Sequence, residues 1–241
     1  MKNVILKISK NIQVGKDMYL MRLTGDVSEI KNPGEFIEIQ LPGYYLRRPI
    51  SVCDFTDEYV EILYKVLGHG TKDMTSFSEG MELDVLIGLG NGFSIQDKSP
   101  VLIGGGIGIA PMFALLKKYN ENGIVPTLVY GSRSKDDLVL IEELKKLSNL
   151  YLCTDDGSVG FKGNVIQCIR ENNINIDYYH ACGPSKMLEF LSKEFPIGEI
   201  SLEARMGCGF GACMGCSIQT VEGPKRVCKE GPVFKASEVI F

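Results

Sequence analysis

Apolar and polar residues alternate in short bursts along the first part of the chain. The runs are Val4–Ser9, Met18–Leu23, Phe36–Leu41, Ile50–Asp54, Tyr59–Val66 and Met81–Ile87. Asn32-Pro33-Gly34 and Pro42-Gly43 stand among the breaks between them. A period of two predicts half-buried β-strands, and Gly, Pro and Asn at the breaks predict turns. Successive strands with no intervening helical pattern predict a small antiparallel barrel over residues 1–97.

The pattern changes at Lys98-Ser99-Pro100. The apolar run Val101–Ile103 leads through glycines to a helical stretch from Pro111 to about Tyr119. Pro126–Tyr130 precedes a helix over Lys135–Leu147, Leu150–Cys153 one over Asn164–Glu171, and Tyr178–Cys182 one over Ser185–Phe195. Strands alternating with helices of this length predict βαβ units, hence a parallel-sheet α/β domain over residues 98–200. Residues 201–241 are glycine-rich and too few to build a core of their own. They predict a small C-terminal segment cored by whatever its cysteines bind.

A chain of 241 residues accommodates this division. The formal net charge of −4, with no long run of one sign, argues against nucleic acid or an anionic membrane as the main partner. The longest uncharged stretch, Ser99 to Leu116, contains three consecutive glycines and Pro111, so no membrane helix is predicted. The N-terminus lacks the apolar run and cleavage site of a secretion signal. Eight cysteines in such a chain point to a reducing cytoplasm and to metal or redox roles rather than disulfides.

Four of them form one pattern. Cys208, Cys213 and Cys216 are spaced C-x4-C-x2-C, and Cys228 follows twelve residues later. That is the plant-type [2Fe–2S] spacing, and such a centre carries one electron at a time. Gly207, Gly209, Gly211 and Gly215 would let the backbone turn round a small inorganic core. The competing reading is structural zinc, which usually takes two closely spaced pairs or Cys with His. Neither His69 nor His180 is near in sequence. Cys53, Cys153, Cys168 and Cys182 sit in apolar contexts, where a small buried residue is the default.

Other motifs lie at strand ends. Gly104-Gly105-Gly106-Ile107-Gly108-Ile109-Ala110-Pro111 follows a strand and opens a helix, where backbone N–H groups can cradle a pyrophosphate. The alternative is a tight turn without ligand. Tyr130-Gly-Ser-Arg-Ser-Lys135 holds no acid for a ribose 2′-hydroxyl, and Arg133 suits a 2′-phosphate, so NAD and NADP both stay open. Asp155-Asp156-Gly157 reads equally as a turn. Cys182 stands at a strand's carboxyl end, either against a nicotinamide ring or as a core thiol. Arg47-Arg48-Pro49-Ile50-Ser51 is either a diphosphate clamp or a solvated basic turn.

In this order Arg48-Pro-Ile-Ser51, Gly70-Thr71, Gly104 to Pro111 and Cys182-Gly-Pro184 resemble the ferredoxin-reductase family. With Cys208 to Cys228 and the closing Gly231-Pro-Val-Phe234, the whole chain is similar to one branch of it. That branch comprises the electron-transfer subunits of NAD-linked, two-subunit dihydroorotate dehydrogenases. The resemblance implies an FAD-binding barrel, an NAD-binding α/β domain and a C-terminal [2Fe–2S] segment. It implies that Arg48 meets the flavin diphosphate, with Pro49 and Ile50 beside it and Ser51 near the flavin N5. Leu63, Tyr64 and Lys65 would line the ribityl and adenine side, and the backbone of Gly70 and Thr71 would meet the pyrophosphate. Gly105, Gly106 and Gly108 would receive the nucleotide, with Cys182 beside the hydride position. It implies a partner, an FMN-containing catalytic subunit in a heterotetramer of two plus two, serving pyrimidine (UMP) synthesis. Related subunits serve ferredoxin-, hydrogenase- or sulfur-linked complexes, and a zinc-bearing nucleotide-binding protein without redox turnover is the reading from another class.

Overall fold

The computed structural model describes residues 1–241. Six antiparallel strands close a barrel in the order β1-β2-β5-β4-β3-β6. They are β1 (Lys2–Gly15), β2 (Met18–Thr24), β3 (Phe36–Ile39), β4 (Arg48–Phe55), β5 (Tyr59–Lys65) and β6 (Glu82–Leu89). The short helix α1 (His69–Met74) joins β5 to β6. Val4, Leu6 and Ile8 of β1 share the barrel core with Leu83, Val85 and Ile87 of β6, while Ile5 between them faces out. Period-two patterning thus fixes which face of each strand turns inward.

The second half is a seven-stranded sheet in the order β10-β9-β8-β7-β11-β12-β15. Its strands and helices run β7 (Val101–Gly105), α2 (Ile109–Glu121), β8 (Thr127–Ser132), α3 (Ile141–Leu147), β9 (Asn149–Thr154), β10 (Phe161–Lys162), α4 (Val165–Glu171), β11 (Tyr179–Cys182), α5 (Ser185–Glu194) and β12 (Gly198–Ser201). A hairpin of β13 (Ser217–Thr220) and β14 (Gly223–Arg226) follows, then β15 (Val233–Lys235). All neighbours are parallel except β15, which runs antiparallel to β12. Every residue of β7 is buried, as expected for a parallel strand covered on both faces.

Several features depart from the sequence expectation: α1 interrupts a region read as strands alone, and β10 and the β13–β14 hairpin were not expected. The single helix expected over Lys135–Leu147 is a 3-10 turn, Lys135–Asp137, followed by α3. Leu140 takes φ 59°, a left-handed conformation that a continuous helix does not admit. Strands β12 and β15 were not foreseen, and they change the standing of the cysteine segment. Through β15 that segment extends the sheet, and Cys216, Val227, Cys228 and Phe234 pack in one core with Ile103, Val129 and Ile200. The segment therefore draws on its neighbour's core and does not rely on a bound group alone.

Barrel and sheet meet across an apolar seam that joins Met18, Leu20 and Leu63 to Leu102, Met112, Leu115 and Leu116. Two ion pairs span it: Lys117 Nζ to Asp54 Oδ1 at 2.6 Å and Lys65 Nζ to Asp137 Oδ1 at 2.8 Å. Strand order reverses between β7 and β11, and the crevice at their carboxyl ends is where open α/β sheets bind ligands.

Candidate active site: two grooves and a thiol loop

The first groove runs along the barrel's face toward α2. Arg48, Pro49, Ile50 and Ser51 of β4 line it, as do Leu63, Tyr64 and Lys65 of β5 and Thr71 of α1. The two neighbouring arginines have different fates. Arg47 is tied into the barrel, with Nη2 donating to Asp84 Oδ1 at 2.8 Å and Nη1 to the Asp84 carbonyl at 3.0 Å. Arg48 has no carboxylate partner; its Nη1 donates to the Leu46 carbonyl, and its guanidinium lies 4.6 Å from the Tyr44 ring centre. A guanidinium on a groove without an anionic partner suits an anionic ligand such as a diphosphate. Gly70 permits this placement, because a Cβ there would lie 2.7 Å from Arg48 Nε. Tyr64 borders the groove but is a core residue, stacked on Tyr19 at 5.5 Å and donating its hydroxyl to Asn11.

The second groove fills the crevice of the sheet. Gly105 at the end of β7 and Gly106 after it, Ser132 at the end of β8 and Arg133 after it, Asp155 beyond β9 and Gly183 beyond β11 line it. Gly108 lies instead on the first groove, where a Cβ would come 2.3 Å from the Cys182 carbonyl oxygen. That close approach brings the start of α2 against the end of β11. Arg133 is largely exposed, and its Nε lies 3.7 Å from Asp137 Oδ2. Asp137 also accepts from Lys65, and that hydrogen bond holds its carboxyl below the ordinary range. Both cations near the groove are therefore turned toward one buried acid, which leaves backbone N–H groups as the donors a phosphate could meet there.

Cys182 borders the first groove and is 2 % exposed. Burial, then the charge of Glu203, pushes its thiol up to about 12, so it stays neutral near pH 7 and is no nucleophile. Glu203, absent from the sequence expectation, lines both grooves. No local motif marks it, since its place depends on how β12 is docked.

The four patterned cysteines form one loop system. Cys208 adjoins Cys213 and Cys216 adjoins Cys228, and Cys208 also acts on the Cys228 thiol, so the two pairs share one site. No three His, Cys, Asp or Glu side chains converge as a single-ion site. Two pairs suit two irons with two thiolates each. Backbone N–H groups already point at sulfur: Ala212 and Cys213 donate to Cys208 Sγ at 3.2 and 3.4 Å, and Cys228 to Cys216 Sγ at 3.4 Å. Burial raises the Cys208 thiol pKa, but N–H donors from Cys213, Phe210 and Ala212 outweigh it and bring it down to about 6. Burial and the adjacent Cys216 push Cys228 up to about 12. Crowded thiols of this kind ionise together only when metal neutralises them.

Of the four glycines expected to turn this loop, Gly209 and Gly211 take positive φ, 73° and 87°. Gly207 and Gly215 do not; a Cβ at either would lie 3.3 or 3.5 Å from Cys213 Sγ, so they serve close approach. Met214 takes the remaining left-handed position, φ 60°. Beneath Gly209 lies Glu38 of β3, also unforeseen, with neither carboxyl oxygen partnered. Burial, and then Cys208, pushes its carboxyl to about 7.

Residues 102–193 match the family described as an oxidoreductase NAD-binding domain. Residues 203–240 match the iron–sulfur cluster binding domain of dihydroorotate dehydrogenase B. The chain is 39 % identical to the dihydroorotate dehydrogenase B (NAD(+)) electron transfer subunit of Fusobacterium nucleatum, over 96 % of each chain. Its fold matches a solved NADH-dependent reduced ferredoxin-NADP oxidoreductase with TM-score 0.89, at 30 % identity over 98 % of this chain and 90 % of that one. Phthalate dioxygenase reductase shares the fold alone, with TM-score 0.69 at 18 % identity over 91 % of this chain and 87 % of that one.

Barrel, crevice and thiol loop together define an NAD-linked flavin and iron–sulfur oxidoreductase subunit of the ferredoxin-reductase class, with FAD, [2Fe–2S] and NAD as its redox groups. Within that class, the chain belongs to the family of dihydroorotate dehydrogenase B electron transfer subunits.

Proposed function

We propose that this chain carries electrons from the FMN of a dihydroorotate-oxidising partner subunit to NAD+, in UMP synthesis in the cytoplasm. The assembly would be a heterotetramer of two chains of each kind. The bound groups supply the chemistry, one-electron carriage at [2Fe–2S] and hydride transfer between FAD and NAD+. The chain's residues supply position. Arg48 is the cation for the flavin diphosphate, with Ser51 and Thr71 on the same groove. Gly105 and Gly106 offer backbone to the nucleotide pyrophosphate.

The observation that carries this reading is continuity between sites. Met206 still lines the first groove, and Cys208, two residues on, begins the thiol loop. One end of the thiol loop therefore starts at the groove that would hold flavin. The loop's outer edge is open: Cys213 is exposed, and Phe210 and Met214 beside it are 44 % and 51 % exposed. A one-electron carrier must approach its donor, and this edge supports a partner docking there. No helix of the chain is long and apolar enough to cross a membrane.

The test is reconstitution with the catalytic subunit. The FAD-loaded chain alone should oxidise NADH with artificial acceptors and leave dihydroorotate untouched; the reconstituted complex should couple dihydroorotate oxidation to NAD+. Cys213→Ser should lose iron and the coupled reaction while keeping FAD and NADH–dye activity. Dihydroorotate oxidation by the chain alone would sink the proposal. The similarity to the ferredoxin-NADP enzyme supports a second reading, a subunit of a ferredoxin-linked complex. Under that reading the native partner would be inert toward dihydroorotate.

A further inference from the structure

We propose that the Glu203 carboxylate is the counter-charge for the positively charged nicotinamide ring of NAD+, so that the site prefers NAD+ to NADH. The inference rests on the reading of the second groove as the nucleotide site. Four residues line both grooves: Lys65, Leu67, Ile107 and Glu203. For hydride transfer the nicotinamide C4 and the flavin must come within about 3–3.5 Å, so the ring has to lie at this junction.

Of the two charged residues there, Lys65 is already neutralised, its ammonium 2.8 Å from Asp137. Glu203 has no such partner. Glu203 stands exposed on the groove; no hydrogen bond or neighbouring charge acts on its carboxyl, and desolvation at the groove raises that carboxyl from its ordinary value. The adjacent Cys182 thiol is neutral near pH 7, because burial and Glu203 itself push it up to about 12. A cationic ring beside Glu203 favours its ionised form, which then gives the junction one unbalanced negative charge.

The two forms of the coenzyme differ there by one unit. The nicotinamide ring is a cation in NAD+ and neutral in NADH, while the adenosine and diphosphate ends are the same. A fixed carboxylate attracts the oxidised ring and loses that attraction once the hydride has arrived at C4. Glu203 thus favours capture of NAD+ and departure of NADH. It touches the substrate without exchanging a proton or an electron with it.

The test is calorimetric titration of the oxidised, FAD- and iron-loaded chain with three probes. These are NAD+, ADP-ribose, and 1,4,5,6-tetrahydro-NAD, whose neutral ring imitates NADH without delivering hydride. Glu203→Gln, which keeps shape and removes charge, should weaken NAD+ by about three- to tenfold, the size of one partly screened charge pair. Tetrahydro-NAD and ADP-ribose should change by less than about twofold, and Glu203→Asp, which keeps the charge, should retain the preference for NAD+. An equal loss for all three probes would make Glu203 merely structural, and unchanged NAD+ affinity would remove its role; either overturns the inference. If wild type binds ADP-ribose and only the NAD+ preference is missing, this inference falls and the nucleotide groove stands. If wild type binds none of the three, both fall together.

Discussion

The two grooves adjoin, yet they present opposite electrostatics. The groove proposed for flavin offers Arg48, a guanidinium with no carboxylate partner, while its neighbour Arg47 is bound to Asp84. In the groove proposed for the nucleotide Lys65 and Arg133 both face Asp137, and Asp155 adds negative charge. The difference matches two kinds of ligand. A resident cofactor is retained by a charge-assisted contact. An exchanging coenzyme is better met by backbone dipoles, which position a phosphate without gripping it tightly.

Breaking the retaining contact should have the largest effect. Arg48→Ala should weaken FAD binding by about 30- to 100-fold, since hydrogen bonds to charged groups are each worth about 1.5–3 kcal/mol. Flavin absorbance after gel filtration reads this directly. Arg47→Ala should keep its flavin and lose only about 1 kcal/mol of stability, because its ion pair is partly exposed. Equal flavin loss in both variants would erase the distinction between the two arginines.

A smaller effect is expected from the glycine turn. Gly106 has φ 56° and open space where a Cβ would sit. Alanine there costs about 1 kcal/mol of left-handed strain and crowds the approach to the N–H groups, so ADP-ribose affinity should fall about fivefold. Flavin content should not change. A parallel loss of flavin would mean that the grooves are not independent.

A last effect, read as stability rather than ligand affinity, concerns the tie between them. Asp137→Asn should destabilise the chain by about 1–2 kcal/mol in urea unfolding at pH 7. The Lys65 hydrogen bond holds the Asp137 carboxyl below its ordinary value. Its stabilisation is therefore complete above the unfolded value near 4, and is lost as pH falls through the lower folded value. The gap between wild type and Asp137→Asn should accordingly shrink in acid. A gap that widens there would reverse the assignment.

Much of this was legible in the chain, for physical reasons that differ by region. Barrel strands announce themselves because one face is wet and one buried, as in Ile5 between Val4 and Leu6. The cysteine spacing was legible because cluster ligation constrains local sequence. What stayed hidden depends on distant partners. Strand β15 is recognisable only once β12 lies beside it, and nothing near Glu203 signals that it will stand between two grooves. The fate of Arg47 depended on Asp84, and that of Lys65 on Asp137, each far along the chain. The break in the helix before α3 was missed because periodicity does not report a left-handed Leu140.

The most direct measurement is an anaerobic absorbance spectrum of the purified chain, with iron and sulfide analysis, taken before and after adding NADH. The account predicts flavin and [2Fe–2S] bands together, with both bleaching on addition of NADH. A colourless chain with zinc in place of iron, or iron–sulfur bands that NADH leaves unchanged while the flavin bleaches, would contradict an electron path running through all three sites.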